Sequence, residues 1–104
     1  SDVYVNVVGG LSVEGTGQDL GLALSLISSA KAKLMKFDRI LAIGEIGLTG
    51  EIRPVSHVDR LISEGAKMGF ENFVIPKRSL EKVKIKNVNI IAVEDIREAI
   101  QKLF

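Results

Sequence analysis

From residue 39 onward the chain alternates short apolar, largely β-branched runs with amphipathic helical periods, and that alternation leaves few folds open. Ser56 to Met68 is the cleanest helix: Val58, Leu61, Ile62, Gly65 and Met68 follow the i, i+3, i+4, i+7 rule, and Gly69 ends it. Arg39 to Ile43 precedes it as a short apolar strand, and Glu51 to Arg53 is expected to pair nearby after the turn at residues 47–50. Asn72 to Ile75 follows as a strand closed by Pro76, and Val88 to Val93 is another. Asp95 then caps a last helix through Ile96, Ala99, Ile100 and Leu103, with Glu98 at the capping-box position.

The N-terminal third reads in the same way. Val3 to Val8 alternates and is stopped by Gly9-Gly10, which makes it a strand, and the Gly-rich stretch to Gly17 is a loop. Gln18 to about Leu34 reads as helix. Leu20, Ala23, Leu24 and Ile27 share one face while Leu22 and Leu26 add apolar residues on the other, the pattern of a buried helix. Strands interleaved with helices predict an α/β sandwich. At 104 residues the sequence reads as a single domain, residues 1–104, with enough chain to bury a core and no repeat or linker.

The chain is 46% hydrophobic and 26% charged, a compact fold and not a disordered tail. No apolar run approaches the ~20 residues of a membrane span, and no charged leader precedes a short apolar stretch. Absent cysteine excludes a disulfide framework and a thiolate metal site, and fits a reducing, cytoplasmic setting. Net charge is only +1, but its distribution is uneven. Lys31, Lys33, Lys36 and Arg39 stand against Asp38 alone; Lys77, Arg78, Lys82, Lys84 and Lys86 stand against Glu81 alone. Such stretches are either solvated loops or a face for polyanions. Lys and Arg neutralising phosphates supply most sequence-independent nucleic-acid affinity. Lys31, Lys33, Lys77, Arg78, Lys82, Lys84 and Lys86 are the candidate DNA contacts. Aromatics are scarce, and Phe70 and Phe73 read as core, so the composition favours backbone contact over base stacking.

Other chemistries are poorly supported. Ser28-x-x-Lys31 and Ser79-x-x-Lys82 match the spacing of penicillin-recognising enzymes but lack the partner motifs, and Ser63 and Lys67 lie one helical turn apart as many surface pairs do. His57, the only histidine, reads as a surface residue at a helix start. The glycines at 9, 10, 15 and 17 form neither a Walker loop nor a dinucleotide fingerprint. No catalytic, cofactor or metal residue is assigned. Thr16-x-x-Asp19 and Ser56-x-x-Asp59 match capping boxes, which gives both aspartates a local reason to exist.

Gly44-Glu45-Ile46-Gly47-Leu48-Thr49-Gly50-Glu51-Ile52-Arg53-Pro54-Val55 resembles the segment that Lon peptidase domains place before their catalytic lysine. Laid on the family's Ser–Lys dyad, the resemblance sets Asp19 at the serine and, counting without a gap from Pro54 to Pro76, Asp59 at the lysine. An ionised carboxylate neither attacks a peptide nor takes a proton as a lowered-pKa amine does. The fuller similarity, end to end, is to the C-terminal Lon-like domain of the bacterial RadA/Sms family. It is carried also by Asp2 to Gly10, Asp19-Leu20-Gly21-Leu22-Ala23-Leu24 and Val74-Ile75-Pro76-Lys77. The resemblance implies a ribosomal-protein-S5-domain-2-like fold as in Lon peptidase domains, with the helices from Gln18 and Ser56 on one sheet. An all-parallel Rossmann sheet would count against it. It also implies a non-peptidase part of a DNA recombination ATPase that forms hexameric rings and drives branch migration, with ATP, magnesium and zinc held outside these residues. Two rivals stand beside it: an assembly scaffold with no DNA contact of its own, and, least favoured, an active Ser–Lys peptidase.

Overall fold

The runs Ile40-Leu41-Ala42-Ile43 and Phe73-Val74-Ile75-Pro76 are apolar at every position, the pattern of strands covered on both faces. The computed structural model describes residues 5–7, 18–19 and 36–104. In chain order its elements are β1 (Val5–Val7), β2 (Gln18–Asp19), β3 (Ile40–Ala42), β4 (Glu45–Ile46), β5 (Ile52–Arg53), α1 (Val58–Lys67), β6 (Asn72–Pro76), a 3-10 helix (Lys77–Lys82), β7 (Asn89–Val93) and α2 (Ile96–Leu103). Four strands form a sheet in the order β1-β3-β6-β7, parallel at every pairing, with Ile40, Leu41 and Ala42 opposite Asn72, Phe73 and Val74. A second sheet, β2-β4-β5, is antiparallel. The architecture is therefore mixed α/β and not one parallel sheet.

Side-chain alternation along β3 and β6 divides the core into two layers. Ile40, Ala42, Val74, Ile91 and Val93 meet Ile52 of β5 and Ala99 and Leu103 of α2 on one face. Leu41, Ile43, Phe73 and Ile75 meet Val58 and Ile62 of α1 on the other. α1 lies close to the sheet at Gly65, where a Cβ would come within 2.7 Å of Leu41 Cδ2 and 2.9 Å of Phe73 Cε1. Its end is a Schellman motif: Gly69, at φ +105°, donates to the Ala66 carbonyl at 3.1 Å and Phe70 to the Gly65 carbonyl at 3.1 Å.

Three expectations are corrected. Gln18 and Asp19 open no helix; they pair antiparallel with Ile46 and Glu45. Strand pairing with the hairpin keeps Asp19 out of the helical first turn that a capping box needs, and residues 20–34 of the expected helix lie outside the described residues. α1 starts at Val58 and not at Ser56, with His57 at its N-cap in the left-handed region (φ 60°) and no side-chain capping bond. The second capping box fails because the Asp59 carboxylate is engaged elsewhere in the fold. Residues 77–82 form a 3-10 helix where no element was expected. The expected cap at Asp95 does form, its carboxylate accepting from the Glu98 amide at 2.8 Å.

Candidate nucleic-acid interface

In a parallel sheet the segments leaving the carboxyl ends of the strands gather along one edge, where such folds place their ligands. Here β3 leads through Gly44 into the β4–β5 hairpin, β6 leads into the 3-10 helix, and β7 leads through Glu94 into α2. The hairpin and α2 are joined by backbone bonds from Ile52 to the Glu94 carbonyl (2.9 Å) and from Ile96 to the Gly50 carbonyl (3.0 Å).

The Gly44–Val55 motif folds around one carboxylate. Gly47 donates to the Glu51 carbonyl at 2.8 Å and Gly50 to the Gly47 carbonyl at 3.1 Å, which closes the turn. The Glu51 carboxylate accepts from the Thr49 amide (3.1 Å), from the Thr49 hydroxyl, and from Arg53 Nε (3.1 Å) and Nη2 (2.8 Å). The Thr49 hydroxyl, and after it the Arg53 guanidinium, lower the Glu51 pKa to about 2. A Cβ at Gly47 would overlap the Glu51 carboxylate and lie 2.8 Å from Arg53 Nε, so only glycine leaves room for this cluster. Residues 51–54, Lys77, Arg78 and Glu94 enclose a groove of about 550 Å³.

Beyond the 3-10 helix the chain alternates. Val83 and Ile85 pack against the α1-side core, while Lys82, Lys84 and Lys86 are exposed. Asp59, in the first turn of α1, fixes this segment: its Oδ1 accepts from the Lys84 amide at 2.8 Å and the Ile85 amide at 3.2 Å. The aspartate thus serves a contact 25 residues away instead of a local cap. Lys77 Nζ lies 3.9 Å from Glu98, which also pairs with Lys102 at 3.2 Å. The Glu94 amide, then Lys102, hold the Glu98 carboxyl below its ordinary value.

The structure brings Lys77, Arg78 and Lys82 to the carboxyl edge, where they follow β6; Lys84 is held by Asp59 of α1, and Lys86 lies three residues before Asn89, which opens β7 at the amino edge, and all five are exposed. Lys31 and Lys33 lie outside the described residues, as does Ser28. Their neighbours Lys36 and Arg39 immediately precede β3, and Arg39 pairs at 3.4 Å with Glu71, which precedes β6. That end of the first basic stretch is therefore at the amino edge, opposite Lys77, Arg78 and Lys82. Asp19 stands in β2 in register with Glu45. Ser79 is buried to 1% exposure while Lys82 is exposed, so the Ser-x-x-Lys spacing there makes no open dyad. Phe37 packs against the core, half-buried, and His57 is exposed. Sequence reasoning missed Arg53 and its groove. The available signal was Glu51-x-Arg53, since residues two apart in a strand share a face.

Comparison with known proteins adds a family. Residues 1–79 match the family described as subunit ChlI of Mg-chelatase. Over 102 residues the chain is 41% identical to DNA repair protein RadA of Haemophilus influenzae, covering 98% of this chain and 22% of that protein. It is 44% identical over 103 residues to DNA repair protein RadA of Aquifex aeolicus, covering 99% and 22%. With DNA repair protein RadA of Escherichia coli it shares 39% over 99 residues, 95% and 21% of the two lengths. The chain thus spans about a fifth of the curated relatives it matches. Among the described residues no helix is long and apolar enough to cross a membrane.

Proposed function

The chain belongs to the family described as subunit ChlI of Mg-chelatase and is homologous to the C-terminal part of DNA repair protein RadA; from that premise we propose that it is a non-catalytic, Lon-like domain of a RadA-type DNA repair ATPase. In this reading it contacts the DNA backbone without sequence preference and supports a hexameric ring during branch migration. Residues 1–104 form one such domain, with the S5-domain-2-like architecture of Lon peptidase domains. The Gly44–Val55 motif and the gap-free spacing from Pro54 to Pro76 support that architecture. Asp19 and Asp59 replace the dyad, so the domain hydrolyses no peptide. ATP, magnesium and zinc belong to other parts of the whole protein, and its setting is the cytoplasm.

One observation carries the DNA contact. Lys82, Lys84 and Lys86 stand exposed on a segment that Asp59 and two packed side chains hold in place, so a phosphate meets them at little ordering cost. Replacing all three by Glu is expected to weaken duplex binding on every sequence and to reduce the log–log salt slope by about 0.9 per lost contact. Mobility shifts at two salt concentrations read both quantities. Equal binding by wild type and variant rejects this segment as the contact.

Assembly without DNA contact has its own support. Leu48 at the hairpin tip is 82% exposed and Met68 at the end of α1 is 74% exposed. They lie at opposite ends of the sheet, and a ring joins two different patches head to tail. Sedimentation that shows concentration-dependent oligomers indifferent to added duplex favours this reading.

A further inference from the structure

The stretch Val88-Asn89-Ile90-Ile91-Ala92-Val93 is six residues without charge, proline or glycine, four of them β-branched, a composition that favours association of strands between chains. Asn89 to Val93 form β7, the last strand of the parallel sheet among the described residues. Asn89 donates to the Glu71 carbonyl at 3.0 Å, so the backbone groups of Asn89, Ile91 and Val93 face β6, and those of Ile90 and Ala92 face outward. The β4–β5 hairpin covers only the end of that outer edge, where Ile52 donates to the Glu94 carbonyl. With Glu51 opposite Asp95, the same register would bring Pro54 opposite Ala92, and proline has no N–H to give. Two side chains of α2 take over there. Lys102 Nζ donates to the Ala92 carbonyl at 3.0 Å, and Glu98 Oε1 accepts from the Glu94 amide at 2.7 Å. One helical turn apart, the two also pair with each other at 3.2 Å.

We propose that Lys102 and Glu98 guard this edge, keeping β7 of one copy from pairing with β7 of a second copy. An open edge is a row of unpaired donors and acceptors, and a lysine is one of the means by which folds blunt it. Here the ammonium occupies the carbonyl that an incoming strand would need. In a two-fold pair of β7 strands each copy would also bring its own ammonium to the contact, and the like charges oppose each other. Glu98 holds Lys102 over the edge while its other oxygen closes the Glu94 N–H, so the two side chains act as a unit. What stays open is short: among the described residues, the Ile90 N–H and carbonyl and the Ala92 N–H have no partner across this edge. A β7–β7 contact uses the same patch on both copies, and would compete with the head-to-tail order of a ring.

The test compares the full chain with its Lys102→Met variant, which keeps the aliphatic stem and removes the donor. Sedimentation over a concentration series is read together with amide exchange at Ile90 and Ala92. Lys102→Met is expected to associate more strongly than wild type, and its Ile90 and Ala92 amides to slow about tenfold from the dilute to the concentrated end. Wild-type exchange at these two amides is expected to be the same at both ends. Lys102→Arg, which keeps a charged donor, should behave as wild type. The Lys102 contact is half-exposed, so Lys102→Met should melt within a few degrees of wild type. Should it not fold, Glu98→Gln releases Lys102 and leaves an acceptor for the Glu94 N–H; it is expected to associate in the same way, and its equality with wild type then decides against the guard. Exchange at Ile90 and Ala92 that ignores concentration in Lys102→Met overturns the proposal, as does Lys102→Arg associating as strongly as Lys102→Met. Equal association of wild type and Lys102→Met also overturns it, and assigns assembly to other patches.

Discussion

Asp59 carries two backbone amides, one of them on a half-buried residue, so its loss leaves donors that water reaches poorly. Asp59→Ala is expected to lower stability by about 1–3 kcal/mol, and Asp59→Asn, which keeps a neutral acceptor at the same place, by less. Urea unfolding measures the loss, and amide exchange at Lys84 and Ile85 locates it. Asp59→Lys removes the same acceptor and is expected to loosen the basic segment as Asp59→Ala does. Glu51 gives the pH counterpart. Its pKa falls from 4.5 to about 2 on folding, so its contribution is complete above pH 4.5 and is lost as pH drops toward 2. The difference in melting temperature between wild type and Glu51→Ala is expected to be widest above pH 4.5 and to close below it, which thermal scans across that window will show.

At the scale of elements, Gly65 decides how closely α1 approaches the sheet. Valine there would press on Leu41 and Phe73, both buried to within 1% and unable to swing away. Gly65→Val is expected to cost about 1–3 kcal/mol from overpacking, measured by chemical denaturation. The same position shows what sequence reveals well. Val58, Leu61, Ile62, Gly65 and Met68 recur at helical spacing; Val58, Ile62 and Gly65 are buried in α1 and Leu61 is half-buried as that pattern predicts, while Met68, past the last turn, is exposed. β3, β6 and β7 were equally readable from apolar runs bounded by Gly69, Pro76 and Asp95. Failures came where a distant partner outcompeted a local rule. Ser56-x-x-Asp59 carries every residue of a capping box, but the Lys84 and Ile85 amides hold the carboxylate. Gln18 and Asp19 were read with the apolar helix after them, while the hairpin strand β4 pairs with them. Neither competitor is visible within a window of a few residues.

For the whole molecule, net charge hides a polarity that the topology exposes. Parallel pairing places Lys77, Arg78 and Lys82 at the carboxyl edge and Lys36 and Arg39 at the amino edge, with Lys84 and Lys86 on the segment that returns between them to β7. Sequence alone left open whether the two basic stretches share a face, because only strand order and direction decide it. The groove beside Arg53 was hidden for the same reason, Arg53 being 24 residues or more from Lys77 and Arg78 along the chain until β5 and β6 are in place. The polarity yields the last prediction. Lys36→Glu with Arg39→Glu changes net charge by four units but touches only the amino edge. Arg39 there forms one exposed pair with Glu71 at 3.4 Å, of a kind worth about 0–1 kcal/mol, so the fold should survive. Duplex affinity should fall only modestly, through long-range repulsion screened beyond about 8 Å at physiological salt, and the salt slope should stay that of wild type. The triple Lys82, Lys84, Lys86 charge reversal should instead flatten the slope. Mobility shifts of both variants over the same salt series separate the edges. A flattened slope in the amino-edge variant would move the DNA contact to the other end of the sheet.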